Sequence, residues 1–348
     1  MICVFLRVDA SFSIGFGHLN RSLCVANYFR KKGMNCIFLI KESENDVEKI
    51  ISVEHNFKFL RLQSEEDIIQ LVQTYKPNVI VTDINTKSIF YNDSSYFNYF
   101  SLIGSFKGII VVSFEEFQEA FYSADIVVIP YMGASKLFKK HKIFENYLLG
   151  EKYFIYRNEF INSPKVVIRE DVKNAFICMG GSDPNRLTEK CIKLLIKGKF
   201  NFKVKLFFSL IGEERKSAIL NLLSLYQGGG ELIVNEYNIA KEMRSSDIGI
   251  INSGLIKYET SIIGLPCISI CNGIEHELVM KYFEDEASIL HLSSIDDQEG
   301  NTFIRKVEQL SSDFSLRKKM HKKNIALFDG YGLSRLYERI IPLINKKI

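Results

Sequence analysis

Short apolar runs rich in valine, isoleucine and phenylalanine recur along the chain and alternate with stretches whose apolar residues return every three or four positions. In the first half the runs are "ICVFLRV" (2–8), "NCIFLI" (35–40), "FKFLRL" (57–62), "NVIVTD" (78–83), "GIIVVSF" (108–114) and "ADIVVIP" (124–130). Helical spacing occupies 18–32 and 65–75 between them. The pattern restarts at "NAFICMG" (174–180) and continues through "KVKLFFSLI" (203–211), "ELIVNEY" (231–237), "DIGIIN" (247–252) and "PCISIC" (266–271). Strands alternating with helices predict βα units on parallel sheets, so the fold class is α/β with two Rossmann-like domains in tandem. The polar stretch "RNEFINSPKVVIREDVK" (157–173) separates the two series and puts a linker near 160–172. The expected domains are therefore 1–165 and 166–332. Helical segments follow at 303–311, 315–328 and 333–346, the last, within 333–348, expected to return to the first domain. In such a pair, ligands are expected outside the carboxyl ends of the strands, in a cleft where the two domains face each other.

A chain of 348 residues accommodates two cores, and 47% hydrophobic with 25% charged residues excludes extended disorder. Lysine and arginine number 45 against 41 acidic residues, a formal charge of +4 that is too small and scattered to point to nucleic acid. The basic clusters "KLFKKHK" (136–142) and "LRKKMHKKN" (316–324) read as solvated helix faces. Seven cysteines show no paired metal spacing and mostly lie in apolar runs, as reduced, buried thiols do. The start "MICVFLRVDA" lacks the basic head and long apolar run of a secretory leader, and no stretch approaches the roughly 20 apolar residues of a membrane span. A cytoplasmic protein without an integral membrane segment is expected.

Three motifs carry candidate chemistry. In "RVDASFSIGFGHLNRSLCVA" (7–26), Gly15 and Gly17 allow a tight turn that brings backbone close to a bound group, and a helix starts near His18. A helix N-terminus favours the neutral imidazole, the form a general base needs. Arg7, Asp9 and Arg21 are the nearest charged residues that could orient His18 or a substrate. The position where a dinucleotide fingerprint would have its next glycine is Asn20. In "FICMGGSDPNRLTEKCIKLL" (176–195) a strand ends in Gly180, Gly181 and Ser182, and Asp183 leads into a helix. This is a strand–loop–helix phosphate cradle without the lysine of a P-loop. In "DIGIINSGLIKYETSIIGLPCISICNGIEHE" (247–277), Ser253 and Gly254 begin a turn, and Tyr258 and Glu259 follow in the next helix. A carboxylate there can accept the two hydroxyls of a ribose.

In this order, these motifs resemble nucleotide-sugar enzymes of the GT-B architecture, and most of all the PseG family, UDP-sugar hydrolases of pseudaminic acid biosynthesis related to the MurG glycosyltransferases. The resemblance covers most of the chain and includes "VSFEEF" (112–117), "GEKYFIYRNEF" (150–160) and "SGLIKYETSIIGLP" (253–266). It implies metal-independent removal of UDP from a UDP-activated diacetamido-trideoxy sugar, with His18 as base for a water that attacks and inverts the anomeric carbon. It requires no cofactor. Gly180, Gly181, Ser182 and Asp183 would meet the diphosphate, Ser253, Gly254, Tyr258 and Glu259 the nucleoside, with Arg7, Asp9, Gly15, Gly17 and Arg21 completing the substrate site. The chain departs from the family pattern at "TDINTKSIF" (82–90), where Asn85 stands in a region that often carries an aromatic residue, and at "CNGIEHE" (271–277). Asn85, Asn272, Glu275 and His276 would then shape the sugar pocket. A transferase that passes the sugar to a glycan, lipid or protein, and a non-catalytic nucleotide-sugar binder, are the competing readings. The expected partner is a UDP-sugar, and a monomer or weak dimer is expected.

Overall fold

Every apolar run quoted above contains a strand in the computed structural model, whose described residues are 1–11, 16–41, 43, 45–84, 93–114, 124–137, 146–181, 183–209, 211–234, 238–271, 274–286, 288–295 and 300–347. The chain divides into two units, Met1–Arg157 with Gly330–Ile348, and Asn158–Asp329. The polar stretch read as a linker is packed into the second unit: Val166 donates its N–H to the Ile263 carbonyl at 2.8 Å, and Lys165 Nζ donates to the Ile262 carbonyl at 2.7 Å.

Seven strands of the first unit form one parallel sheet: β1 (Cys3–Val8), β2 (Asn35–Ile40), β3 (Lys58–Arg61), β4 (Val79–Asp83), β5 (Ile110–Phe114), β6 (Ile126–Ile129) and β7 (Tyr147–Leu149). Their order is β3-β2-β1-β4-β5-β6-β7. Every residue of β1 is buried, as expected for a parallel strand with both faces covered. Val4, Leu6 and Val8 join Leu19, Leu23 and Ala26 of the helix Gly17–Lys31 in one core, while Phe5 packs edge-on to Tyr75.

The second unit repeats the plan with β8 (Asn174–Cys178), β9 (Lys203–Phe208), β10 (Gly230–Val234), β11 (Ile248–Asn252), β12 (Cys267–Ile270) and β13 (Leu290–Leu292), in the order β10-β9-β8-β11-β12-β13. Ile177 of β8 and Ile250 of β11 are register partners in the core of this sheet. In each sheet the order of connection reverses beside the first strand, between β1 and β4 and between β8 and β11. Ligands of open α/β sheets bind outside the carboxyl ends of strands at these reversals.

The helix Gly332–Lys347 packs on the first unit through Leu333, Leu336, Ile340 and Ile344, a stripe at helical spacing. Tyr337 lies edge-on to Tyr28. Gly332 is required at the approach: a Cβ there would sit 2.2 Å from the carbonyl oxygen of Phe154.

Candidate active site

At the first reversal, β1 runs into the segment that ends at Gly17 and His18, which open the helix Gly17–Lys31. The register pairs Val8 with Asp83, the last residue of β4. Asp83 is the residue that organises this site. Its Oδ1 lies 2.8 Å from His18 Nδ1. Arg21, one helical turn after His18 and on the same face, donates Nε to Asp83 Oδ2 at 2.7 Å and Nη2 to Oδ1 at 2.5 Å. The Arg21 guanidinium also lies 4.9 Å from the Phe114 ring centroid at the end of β5.

Burial pushes the Asp83 carboxyl up, but the Arg21 guanidinium and His18 outweigh that and hold it at about 2. Asp83 is therefore a carboxylate and accepts from the imidazole, which places the proton on Nδ1 and makes Nε2 the basic nitrogen of the ring. Arg21 Nη2 stands 3.2 Å from Nδ1 and could donate only to an unprotonated Nδ1, but that tautomer would set the ring lone pair against the nearer Asp83 carboxylate oxygen at 2.8 Å, so the carboxylate selects the Nδ1–H form. An aspartate, an oriented imidazole and a defined basic nitrogen are the elements of a general base.

Arg7 and Asp9, expected at the substrate site, are paired with each other inside the first unit. Arg7 is fully buried and donates Nη1 and Nη2 to Asp9 at 2.6 and 2.8 Å, and Nε and Nη2 to Glu65 at 3.0 and 2.6 Å. Asp9 also accepts the Lys41 N–H at 2.9 Å. Burial alone would pull Arg7 down, and the carboxylates of Asp9 and Glu65 raise it instead. Together they form an internal brace joining the end of β1 to the segments that follow β2 and β3, and the aspartate that holds His18 is Asp83, not Asp9. Arg21 likewise is held by Asp83 within the unit. Gly15 and Asn85 lie outside the described residues.

At the second reversal, Gly180 and Gly181 follow β8. Gly180 has φ +100°, and a Cβ on it would come within 3.0 Å of Asn252 Nδ2 at the end of β11. A Cβ on Gly181 would come within 3.1 Å of Ser209 Oγ, and the Gly181 carbonyl accepts the Ser209 N–H at 2.9 Å. Asn252 Oδ1 accepts the Gly254 N–H at 3.1 Å. Asn252 thus lies beside both glycine turns of this unit, although its sequence pattern marks it only as the end of a strand. A polar residue closing the run "IGII" just before "SG" was the available signal. Beneath the second turn the buried Lys257 donates Nζ to the carbonyls of Ser253 and Gly254.

Asp183 and Tyr258 have structural work. Asp183 accepts the N–H groups of Leu187 and Thr188, both at 2.9 Å, and so caps the helix Leu187–Lys197. Tyr258, expected at the nucleoside, is fully buried, with its ring 5.3 Å from Phe283 and 5.9 Å from Phe328. Its neighbour Glu259, on the next position of the helix, is half-buried. Ser182 and Asn272 lie outside the described residues, as do the side chains of Glu275 and His276. Among the described residues no group of three His, Cys, Asp or Glu side chains could hold a metal ion, and no helix is long and apolar enough to cross a membrane.

Two parallel sheets of this topology, one in each unit, give the chain the GT-B fold. MurG of Acinetobacter baumannii matches 98% of this chain and 100% of its own with a TM-score of 0.69 at 13% identity. A UDP-N-acetylglucosamine 2-epimerase of Neisseria meningitidis matches 98% and 100% with a TM-score of 0.64 at 14% identity. No protein-family model matches the chain. Among curated proteins it is 28% identical over 293 residues to the uncharacterized protein MJ1062 of Methanocaldococcus jannaschii, covering 81% of this chain and 57% of that protein. It is 25% identical over 183 residues to the spore coat polysaccharide biosynthesis protein SpsG of Bacillus subtilis, covering 52% and 53%. The chain thus spans little more than half the length of these two relatives. It is 26% identical over 277 residues, 77% of this chain and 91% of the relative, to the UDP-2,4-diacetamido-2,4,6-trideoxy-beta-L-altropyranose hydrolase of Campylobacter jejuni.

Proposed function

We propose that this protein hydrolyses a UDP-activated diacetamido-trideoxy sugar, releasing UDP by attack of water on the anomeric carbon. The observation that carries the reading is the hydrogen bond between His18 Nδ1 and Asp83, which makes Nε2 the proton acceptor. Water gives a proton to Nε2 as its oxygen bonds to the anomeric carbon, and the bond from that carbon to the β-phosphate oxygen breaks with its electron pair leaving on UDP. Asp83 supports the imidazolium as it forms, and Arg21 keeps Asp83 ionised throughout. In the second unit, Gly180 and Gly181 allow backbone to approach the diphosphate, Asn252 beside them holds the Gly254 amide, and Glu259 accepts the ribose hydroxyls. The distant likeness to the Campylobacter hydrolase, spread over 277 residues, supports this choice of substrate.

His18→Asn tests it. The variant is expected to bind UDP as the wild type does while turnover falls by roughly 10²- to 10⁴-fold. Equal loss of both would make His18 a structural residue and overturn the assignment. A glycosyltransferase reading draws on the likeness of fold to MurG, with an acceptor hydroxyl in place of water at the same base. Turnover that requires a saccharide or lipid acceptor would select it.

A further inference from the structure

In the turn after β8, Asp183 and Arg186 are held in backbone conformations that residues with a Cβ disfavour. Gly180, Asp183 and Arg186 have φ values of +100°, +45° and +52°. Positive φ is uncommon for residues with a Cβ, and Asp183 also precedes Pro184, which favours extended backbone at the residue before it. Such geometry persists only where tertiary contacts enforce it.

Besides the Leu187 and Thr188 amides on Asp183 and the Ser209 amide on Gly181, those contacts come from Arg215, on the helix Glu213–Leu225 that follows β9. Its guanidinium donates Nη1 to the Asp183 carbonyl at 2.8 Å and Nη2 to the Asp183 carboxylate at 2.9 Å. It also donates Nε and Nη2 to the two oxygens of Glu189, at 2.9 and 2.8 Å. The Phe208 ring lies 5.1 Å away and limits where the fork can sit. Arg215 occupies the first turn of its helix, the end where the backbone dipole disfavours a cation, so helix stability does not account for it there. A guanidinium fork grips a main-chain carbonyl and two carboxylates at once, which an ammonium cannot.

We infer that Arg215 is a positioning residue for nucleotide binding: it orders the turn of Gly180 and Gly181 before ligand arrives, and so sets affinity for the UDP diphosphate without taking part in bond cleavage. The inference rests on the nucleotide role proposed above. A preorganised turn binds more tightly because its ordering does not oppose binding, and loss of a charge-assisted clamp predicts UDP affinity weaker by roughly tenfold to hundredfold.

The test is calorimetric titration of UDP into the wild type, Arg215→Ala and Arg215→Lys, with the melting temperature of each and steady-state kinetics. Both variants are expected to bind UDP more weakly, alanine more than lysine, with KM raised and kcat at saturation within about threefold of wild type. The amides of Leu187 and Thr188, bonded to Asp183, should exchange faster in both. A folded variant with wild-type UDP affinity would overturn the inference, and the lysine variant decides if the alanine variant fails to fold. A fall in kcat at unchanged UDP affinity would also overturn it. A wild type that does not bind UDP would sink the nucleotide reading itself, and that control separates the two failures.

Discussion

Asp83→Asn separates the orientation of the base from its presence. The substitution keeps shape and removes charge. An asparagine can donate its amide to Nδ1, which moves the ring proton to Nε2 and abolishes the base, and loss of the correct tautomer predicts turnover lower by roughly 10²- to 10⁴-fold. UDP affinity should stay within about twofold, because Asp83 belongs to the first unit and Gly180, Gly181 and Asn252 to the second. Stability should also fall. Asp83 is held at about 2 against an ordinary 3.8, and that depression corresponds to about 2 kcal/mol of differential stabilisation of the carboxylate. With a buried Arg21 left facing a neutral partner, the total loss should reach about 3 kcal/mol, or a melting temperature lower by roughly 6–12 °C. The sign is set by the depressed carboxylate: the Asp83 contribution is full above pH 3.8 and is lost as pH falls through about 2. Turnover, UDP titration and thermal melting at pH 7 measure all three quantities. Turnover within threefold of wild type would refute the orienting role, and parallel loss of turnover and UDP affinity would show a structural role instead.

Other consequences follow from the packing. Arg7→Ala should cost about 3–5 kcal/mol in urea unfolding, since it strands the carboxylates of Asp9 and Glu65 past the carboxyl ends of the first sheet's strands; a loss under about 1 kcal/mol would contradict the brace. Gly332→Ala should lower the melting temperature by several degrees, because its Cβ would collide with the Phe154 carbonyl, 2.2 Å away, and lift the C-terminal helix. Burial lowers the pKa of His291 from 6.5 against the opposing pull of Glu284 and Glu277, with Lys306 and Lys281 nearby. Stability should therefore be full above pH 6.5 and decline below it, as the unfolded chain takes up a proton that the folded one resists. His291→Gln should flatten that slope in denaturation measured from pH 7 to about 5.

The sheets were legible in the sequence because strands covered on both faces are continuous apolar runs bounded by glycine, proline or polar residues. β7 and β13, each of three residues, are too short to stand out from their surroundings. The place of His18 at the start of a helix was equally legible, since that boundary is local. Its partner was not: Asp83 lies 65 residues away, and only the β1–β4 pairing brings it there. Arg7 and Asp9 are close to His18 in sequence, but β1 directs Arg7 to the same face as Phe5, away from Val8 and the His18 helix, where Glu65 completes its shell. Tyr258 and Glu259 read as a pair but point differently, because successive helical residues lie about 100° apart around the axis. Arg215 and Asn252 have meaning only once β9 and β11 flank β8.

The most direct test of the account is product analysis in isotopically heavy water, with purified protein, a panel of UDP-sugars that includes diacetamido-trideoxy sugars, and no acceptor. The account predicts UDP release with solvent oxygen on the anomeric carbon, initial inversion at that centre, and no label in the phosphate. Label in the phosphate, or tight UDP binding without release until an acceptor is added, would contradict it.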